Sequence, residues 1–292
     1  MSCKKALKNC AGNILSSIKM KLIDGRALAE KIKDSIALEI HSFKGPRPGL
    51  AIILVGERPD SKLYVSLKEK QAGTVGIDAH VYRCDEDMTQ EDLLKTINFL
   101  NNDPEVDAIL VQLPLPKHLD ADTIVNAVNP DKDIDGFTKE NMRRLMDKSN
   151  EAGFMPPVYA VILAMLASIN FDLQNKKVSL VVNSDIFEDK LTEILKLQGA
   201  KITTAMKEAD LIITAIGKQN SITADMVKDN AVIIDIGISK DSTGKICGDV
   251  DALSMKDKSG FLSPVPGGVG PMTIAMAFLN TLLAFKKQKN IQ

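Results

Sequence analysis

Tyr64 and Lys68 stand four residues apart in SKLYVSLKEK, residues 61–70, a run of good helix formers that puts an aromatic ring and an amine on one helical face. A lysine screened from water loses its preference for the ammonium form, its pKa falls toward neutrality, and it can exchange protons near physiological pH. A ring one turn away would shield such an amine and offer a face on which a flat heterocycle can stack. Taken alone, the same pair also reads as a half-buried ring beside a solvated surface amine.

The pair must be positioned by the elements around it. Asp60 or Ser61 is a candidate N-cap for this helix, and Gly73 and Gly76 are its stop signals. Apolar runs at 49–55, 79–83 and 107–112 alternate with helical patterns near 60–73, 89–102 and 120–129, a βαβαβ rhythm. A second series follows: a helix near 157–169, then strands at 177–183, 200–204, 210–216 and 231–236. Right-handed crossovers would place helices on both faces of each sheet. The expected fold class is α/β with two domains, an N-terminal βαβ domain and a C-terminal Rossmann-like, doubly wound parallel sheet.

Three further segments bear on chemistry. VQLPLP, residues 111–116, puts Gln112 at the carboxyl end of an expected strand, the edge where open α/β sheets bind ligands. DKDIDGF, residues 131–137, is an acidic loop whose Asp135 precedes the flexible Gly136. SPVPGGVGPMT, residues 263–273, is a glycine- and proline-rich turn into a helix, with Pro271 suited to the first helical position.

In this order, Y-x-x-x-K, V-Q-L-P-L-P, K-D-I-D-G and P-V-P-G-G-V-G-P-M-T resemble the methylenetetrahydrofolate dehydrogenase/methenyltetrahydrofolate cyclohydrolase family of one-carbon folate metabolism. The likeness begins with MKLIDGRALAEKI at Met20, runs through IIDIGI at 233–238 and CGDVD at 247–251, and reaches the terminal helix. It implies a folate domain over 20–148 with helix 271–288 packing back on it, a Rossmann-like domain over 149–270, and a substrate cleft between the two. It also implies roles. Lys68 transfers protons, Tyr64 and Gln112 position it, Asp135 grips the pterin, and Gly267, Gly268, Val269, Gly270 and Pro271 line the folate site with Tyr64.

The sequence departs from the family at its nucleotide loop. Where the family carries G-R-S-x-x-V-G-x-P, this chain reads VNSDIFEDK: Val182 and Glu188 replace both glycines and Asn183 replaces the arginine. Asp185, Glu188 and Asp189 bring negative charge to a place that would face a polyanion, and Lys190 offsets part of it. The upstream P-C-T-P-x-G appears as Pro156 to Val161 without its threonine and glycine, and TTAMKEAD runs directly into the next strand, shortened relative to the family. Ser184 and Ile238 remain as candidate cofactor contacts.

The expectation is an enzyme that keeps hydrolysis of 5,10-methenyltetrahydrofolate to 10-formyltetrahydrofolate, a step needing no cofactor, with the dehydrogenase half in question. Two alternatives stay open. One is a full bifunctional enzyme in which NADP or NAD binds a rebuilt loop. The other is a non-catalytic folate-binding regulatory subunit.

Composition adds exclusions. With 37 basic and 38 acidic residues the net charge is -1, which gives no electrostatic case for nucleic acid or an anionic membrane. Cys3, Cys10, Cys84 and Cys247 have no metal spacing, the three histidines are isolated, and no metal site is expected. No apolar run is read as long enough to cross a bilayer. Residues 1–19 carry four lysines and no acid, so organelle targeting stands as the alternative to a cytoplasmic location. A homodimer is expected by family analogy.

Overall fold

The computed structural model describes residues 19–147 and 153–291, so residues 1–18, with Cys3 and Cys10 and the lysine-rich stretch weighed for targeting, lie outside the described residues. Two units form. The first holds Ala27–Val161 and Pro271–Gln292; the second holds Ile162–Gly270 with the segment up to Arg26.

The described residues open with strand β1 (Lys21–Leu22) and helix α1 (Gly25–Ser42), then run β2 (Gly49–Val55), α2 (Pro59–Val75), β3 (Asp78–Cys84), α3 (Gln90–Asn102) and β4 (Ala108–Val111). Strands β3, β2 and β4 lie side by side in that order, all parallel. The central strand GLAIILV is buried along its whole length because helices cover both of its faces. Its alternate residues divide two cores. Leu50, Ile52 and Leu54 pack with Ile36 and Val65, and Ala51, Ile53 and Val55 pack with Leu93, Ile97 and Leu100. Short helices α4 (Ala121–Asn126) and α5 (Lys139–Met146) follow.

Helix α6 (Pro157–Ser168) leads to β5 (Lys177–Val182), α7 (Asp185–Leu197), β6 (Lys201–Ile202), β7 (Leu211–Ala215), β8 (Ala231–Asp235), the hairpin β9 (Ser239–Lys240) and β10 (Ile246–Cys247), and β11 (Gly260–Leu262). Helix α8 (Val269–Lys289) closes the described chain. The second unit's sheet has the order β1-β11-β8-β7-β5-β6, parallel throughout. Where the sequence is shortened, one 3₁₀ turn, Met206–Glu208, connects β6 to β7. This is the two-domain α/β fold with a Rossmann-like parallel sheet.

The structure redraws several sequence boundaries. Residues 21–22 were expected in the folate domain, yet β1 pairs parallel with β11 and so extends the second unit's sheet. Residues 157–161, expected in the Rossmann-like domain, begin α6 within the first unit. Helix α2 is not capped by Asp60 or Ser61: Arg58 holds the cap position and Pro59 the first turn, while Gly76 ends the helix at φ 87° as the stop signal required. Helix α8 starts at Val269, which makes Pro271 its third residue rather than its first. By length and composition α8 could cross a membrane, contrary to the reading of the runs. With 67% of its most apolar window buried, it is a core helix, and Ile274, Ala277, Phe278 and Leu282 fill the Leu50–Ile52–Leu54 face.

Candidate active site

In the three-stranded sheet the chain runs from β2 to β3 on one side and then crosses to β4 on the other, so the strand order reverses between β2 and β4. The carboxyl edge at such a reversal is where an open α/β sheet leaves a crevice. Lys68, from the helix after β2, and Gln112, immediately after β4, meet there: the Lys68 amine donates to Gln112 Oε1 at 3.1 Å. Gln112 is itself held twice. Its backbone N–H donates to Ile53 O at 2.9 Å, and its Nε2 donates to Leu113 O at 2.6 Å, which fixes the amide so that its oxygen faces the amine. Burial lowers the Lys68 pKa, and the charge of Asp135 raises it in partial opposition. Tyr64, one turn earlier, is half-buried on the same helix.

The acidic loop divides its carboxylates between structure and chemistry. Asp131 is tied to Arg144 and Lys287, each at 2.7 Å. Asp133 is buried and accepts from the backbone N–H groups of Gly136 and Thr138 at 3.0 and 2.8 Å and from Asn141 Nδ2 at 3.0 Å. Asp135 alone makes no hydrogen bond to the described protein. Desolvation raises its pKa to about 6 against the pull of the Lys68 charge. A carboxylate kept free of protein donors can accept paired N–H donors from a ligand. Gly136 allows the turn. Its φ is 68°, and a Cβ there would stand 2.3 Å from Phe154 O.

Sequence reasoning missed the groups that hold this loop. Asn280, on α8, donates to Ile134 O at 2.8 Å and Met155 O at 3.0 Å, clamping the backbone beside Asp135. The available signal was the Asn280-Thr281 pair inside an otherwise apolar helix. Lys68, Gln112 and Asp135 are therefore brought together within the first unit. Gly267 to Gly270 belong to the second unit, where Gly267 O accepts from Arg26 N at 3.1 Å; Pro271 begins the returning part of the first unit.

Comparison with known proteins accounts for both units. A model of the tetrahydrofolate dehydrogenase/cyclohydrolase catalytic domain matches residues 23–135, and one of that family's NAD(P)-binding domain matches residues 156–289. The chain belongs to the tetrahydrofolate dehydrogenase/cyclohydrolase family. The bifunctional protein FolD of Cupriavidus pinatubonensis is 41% identical over 279 residues, covering 91% of this chain and 98% of that protein. The crystal structure of the bifunctional enzyme FolD of Campylobacter jejuni superposes with a TM-score of 0.88 at 38% identity, covering 94% of this chain and all of that one. A Trypanosoma brucei FolD structure, complexed with NADP cofactor and an inhibitor, gives a TM-score of 0.86 at 29% identity, covering 92% of this chain and 98% of that one. These relatives are bifunctional, which backs the two-reaction alternative over the hydrolase-only expectation drawn from the loop.

The loop after β5 leads directly into α7. Ser184 is the N-cap of α7, its Oγ accepting from Phe187 N at 3.4 Å, and Asp185 and Glu188 occupy the first turn. Ser184 and Ile238, the two candidate cofactor contacts, are both exposed. Lys190 is paired with Glu193 at 3.4 Å.

Proposed function

We propose that the protein is a folate enzyme of the bifunctional type, hydrolysing 5,10-methenyltetrahydrofolate to 10-formyltetrahydrofolate and interconverting the methylene and methenyl forms with a nicotinamide dinucleotide. One observation carries the hydrolytic half: a desolvated lysine amine held at 3.1 Å by a fixed glutamine, with the unpartnered carboxylate of Asp135 near enough to act on its charge. The methenyl carbon carries a cation, so water adds to it while the neutral amine of Lys68 takes a proton from that water. The same proton goes to the departing ring nitrogen as its bond to carbon breaks, while the added hydroxyl releases its remaining proton to solvent and becomes the carbonyl of the formyl group on the other nitrogen. Gln112 holds the amine on line, Tyr64 covers it, and Asp135 accepts the paired N–H donors of the aminopyrimidinone ring. The second reaction rests on the NAD(P)-binding domain model and on the bifunctional relatives.

A paired assay tests both halves. Loss of the near-ultraviolet band of methenyltetrahydrofolate reads hydrolysis, and reduced nicotinamide formed from methylenetetrahydrofolate with NADP or NAD reads oxidation. Both signals are expected. Hydrolysis alone returns the hydrolase-only reading, and neither signal, with folate still bound, leaves the regulatory subunit.

A further inference from the structure

The second unit's sheet reverses its strand order between β5 and β7, and the crevice outside their carboxyl ends is where a doubly wound fold takes a dinucleotide. Such a site works by offering free backbone N–H groups and a helix N-terminus to phosphate. In this chain several of those donors are already engaged. Asp249, fully buried, accepts from Ile216 N at 2.7 Å and Lys218 N at 2.8 Å after β7. Asp235 accepts from Gly237 N at 2.9 Å after β8. At the head of α7, Ser184 caps Phe187 N, and the acids of the first turn satisfy the helix dipole. Asn183 spans the crevice, its Nδ2 donating to Ile216 O at 2.9 Å.

Positive charge is scarce in the same place. Residues 145–292 contain no arginine, and Lys218 is the one cation in the turns 183–184, 216–218 and 236–238. The adenosine ribose of a dinucleotide is read about twenty residues beyond the phosphate turn. Counted from Val182, that is the end of β6, where Thr203 and Thr204 follow Ile202. A threonine hydroxyl suits a ribose 2′-hydroxyl. A 2′-phosphate, a nearly dianionic monoester that asks for a guanidinium, finds no arginine in this unit beyond Arg26 of its opening segment. The residues present do not fit NADP.

We infer that this chain discriminates against NADP at its β5–β7 crevice and that its dinucleotide is the one without the 2′-phosphate, NAD. The inference rests on the two-reaction reading above, and the test separates the two. Titrate the purified protein calorimetrically with NAD and with NADP, and measure kcat/KM for methylenetetrahydrofolate oxidation with each. NAD binding with a kcat/KM at least tenfold above that for NADP is expected, and the ratio should shrink in high salt as the acids are screened. Equal or better binding and turnover with NADP overturns the inference while the bifunctional reading stands. Binding of neither, with methenyl hydrolysis intact, overturns both. The double substitution Asn183→Arg, Glu188→Gln should raise NADP turnover relative to NAD, with circular dichroism checking its fold; an unchanged ratio in a folded variant also counts against the assignment.

Discussion

Lys68 and Asp135 are poised against each other, and each substitution has a sign that follows from the pairing. Lys68→Met removes the proton carrier and is expected to lower methenyl hydrolysis by about 10²–10⁴-fold, the usual contribution of a positioned acid–base group; a fully active variant would take Lys68 out of the mechanism. Asp135 raises the Lys68 pKa, so Asp135→Asn lets it fall further. The acid limb of the kcat/KM profile should then move to lower pH, while KM for folate rises because the ring's acceptor is weakened. Stability moves the other way. The folded carboxyl titrates at about 6 rather than 3.8, so its favourable contribution is present below pH 3.8 and lost as pH climbs through 6. At pH 8 the desolvated charge is a cost of about 1–2 kcal/mol once partial exposure is discounted, and Asp135→Asn should raise the thermal midpoint there but not near pH 3.5. A midpoint unchanged at pH 8 would place the carboxylate in solvent.

The acidic loop depends on elements far from it in sequence, and that dependence sets what the sequence could disclose. The candidate site residues could be named because their types and spacing are local, with their roles supplied by the family resemblance: Tyr64 and Lys68 share one helix, Gln112 follows one strand, and Asp135 precedes one glycine. The division of labour in DKDIDGF was not legible, since Asp131 and Asp133 are distinguished from Asp135 only by Arg144, Lys287 and Asn141 folding onto them. Helix and strand periods placed the elements they named to within a few residues but left α1, α5 and α7 unassigned. They missed β1, whose two exposed residues gain strand character only by pairing with β11, more than two hundred positions later. Gly136→Ala tests the loop's backbone. A left-handed φ costs a non-glycine residue about 1–2 kcal/mol, and the added Cβ also meets Phe154 O, so a loss of roughly 3 kcal/mol is expected in urea denaturation. A cost below 1 kcal/mol would mean that the turn is not held against residue 154.

At the scale of the molecule, both units begin with the same winding. The chain lays down a central strand, adds a neighbour on one side, then crosses to the other, giving β3-β2-β4 in one and β6-β5-β7 in the other. No repeat in the sequence announces this, because the winding requires buried apolar strands and right-handed crossovers rather than particular residues. The two crevices have then diverged: Lys68 and Gln112 face across the first, while in the second Asn183 donates to Ile216 O and Asp249 accepts from Ile216 N. The first unit has a further property of scale. Its Leu50–Ile52–Leu54 face is covered by α8 from the far end of the chain, so the core closes only over a loop of more than two hundred residues, an entropic cost that the burial must offset. Phe278 is among the largest fully buried side chains in that contact. Phe278→Ala should therefore destabilise by about 3–5 kcal/mol. Because Asn280 on the same helix clamps Ile134 and Met155, the variant should also lose methenyl hydrolysis at urea concentrations where the wild type retains it. If its urea midpoint stayed within error of the wild type, α8 would be only an appendage, and the clamp on the Asp135 loop would have to come from elsewhere.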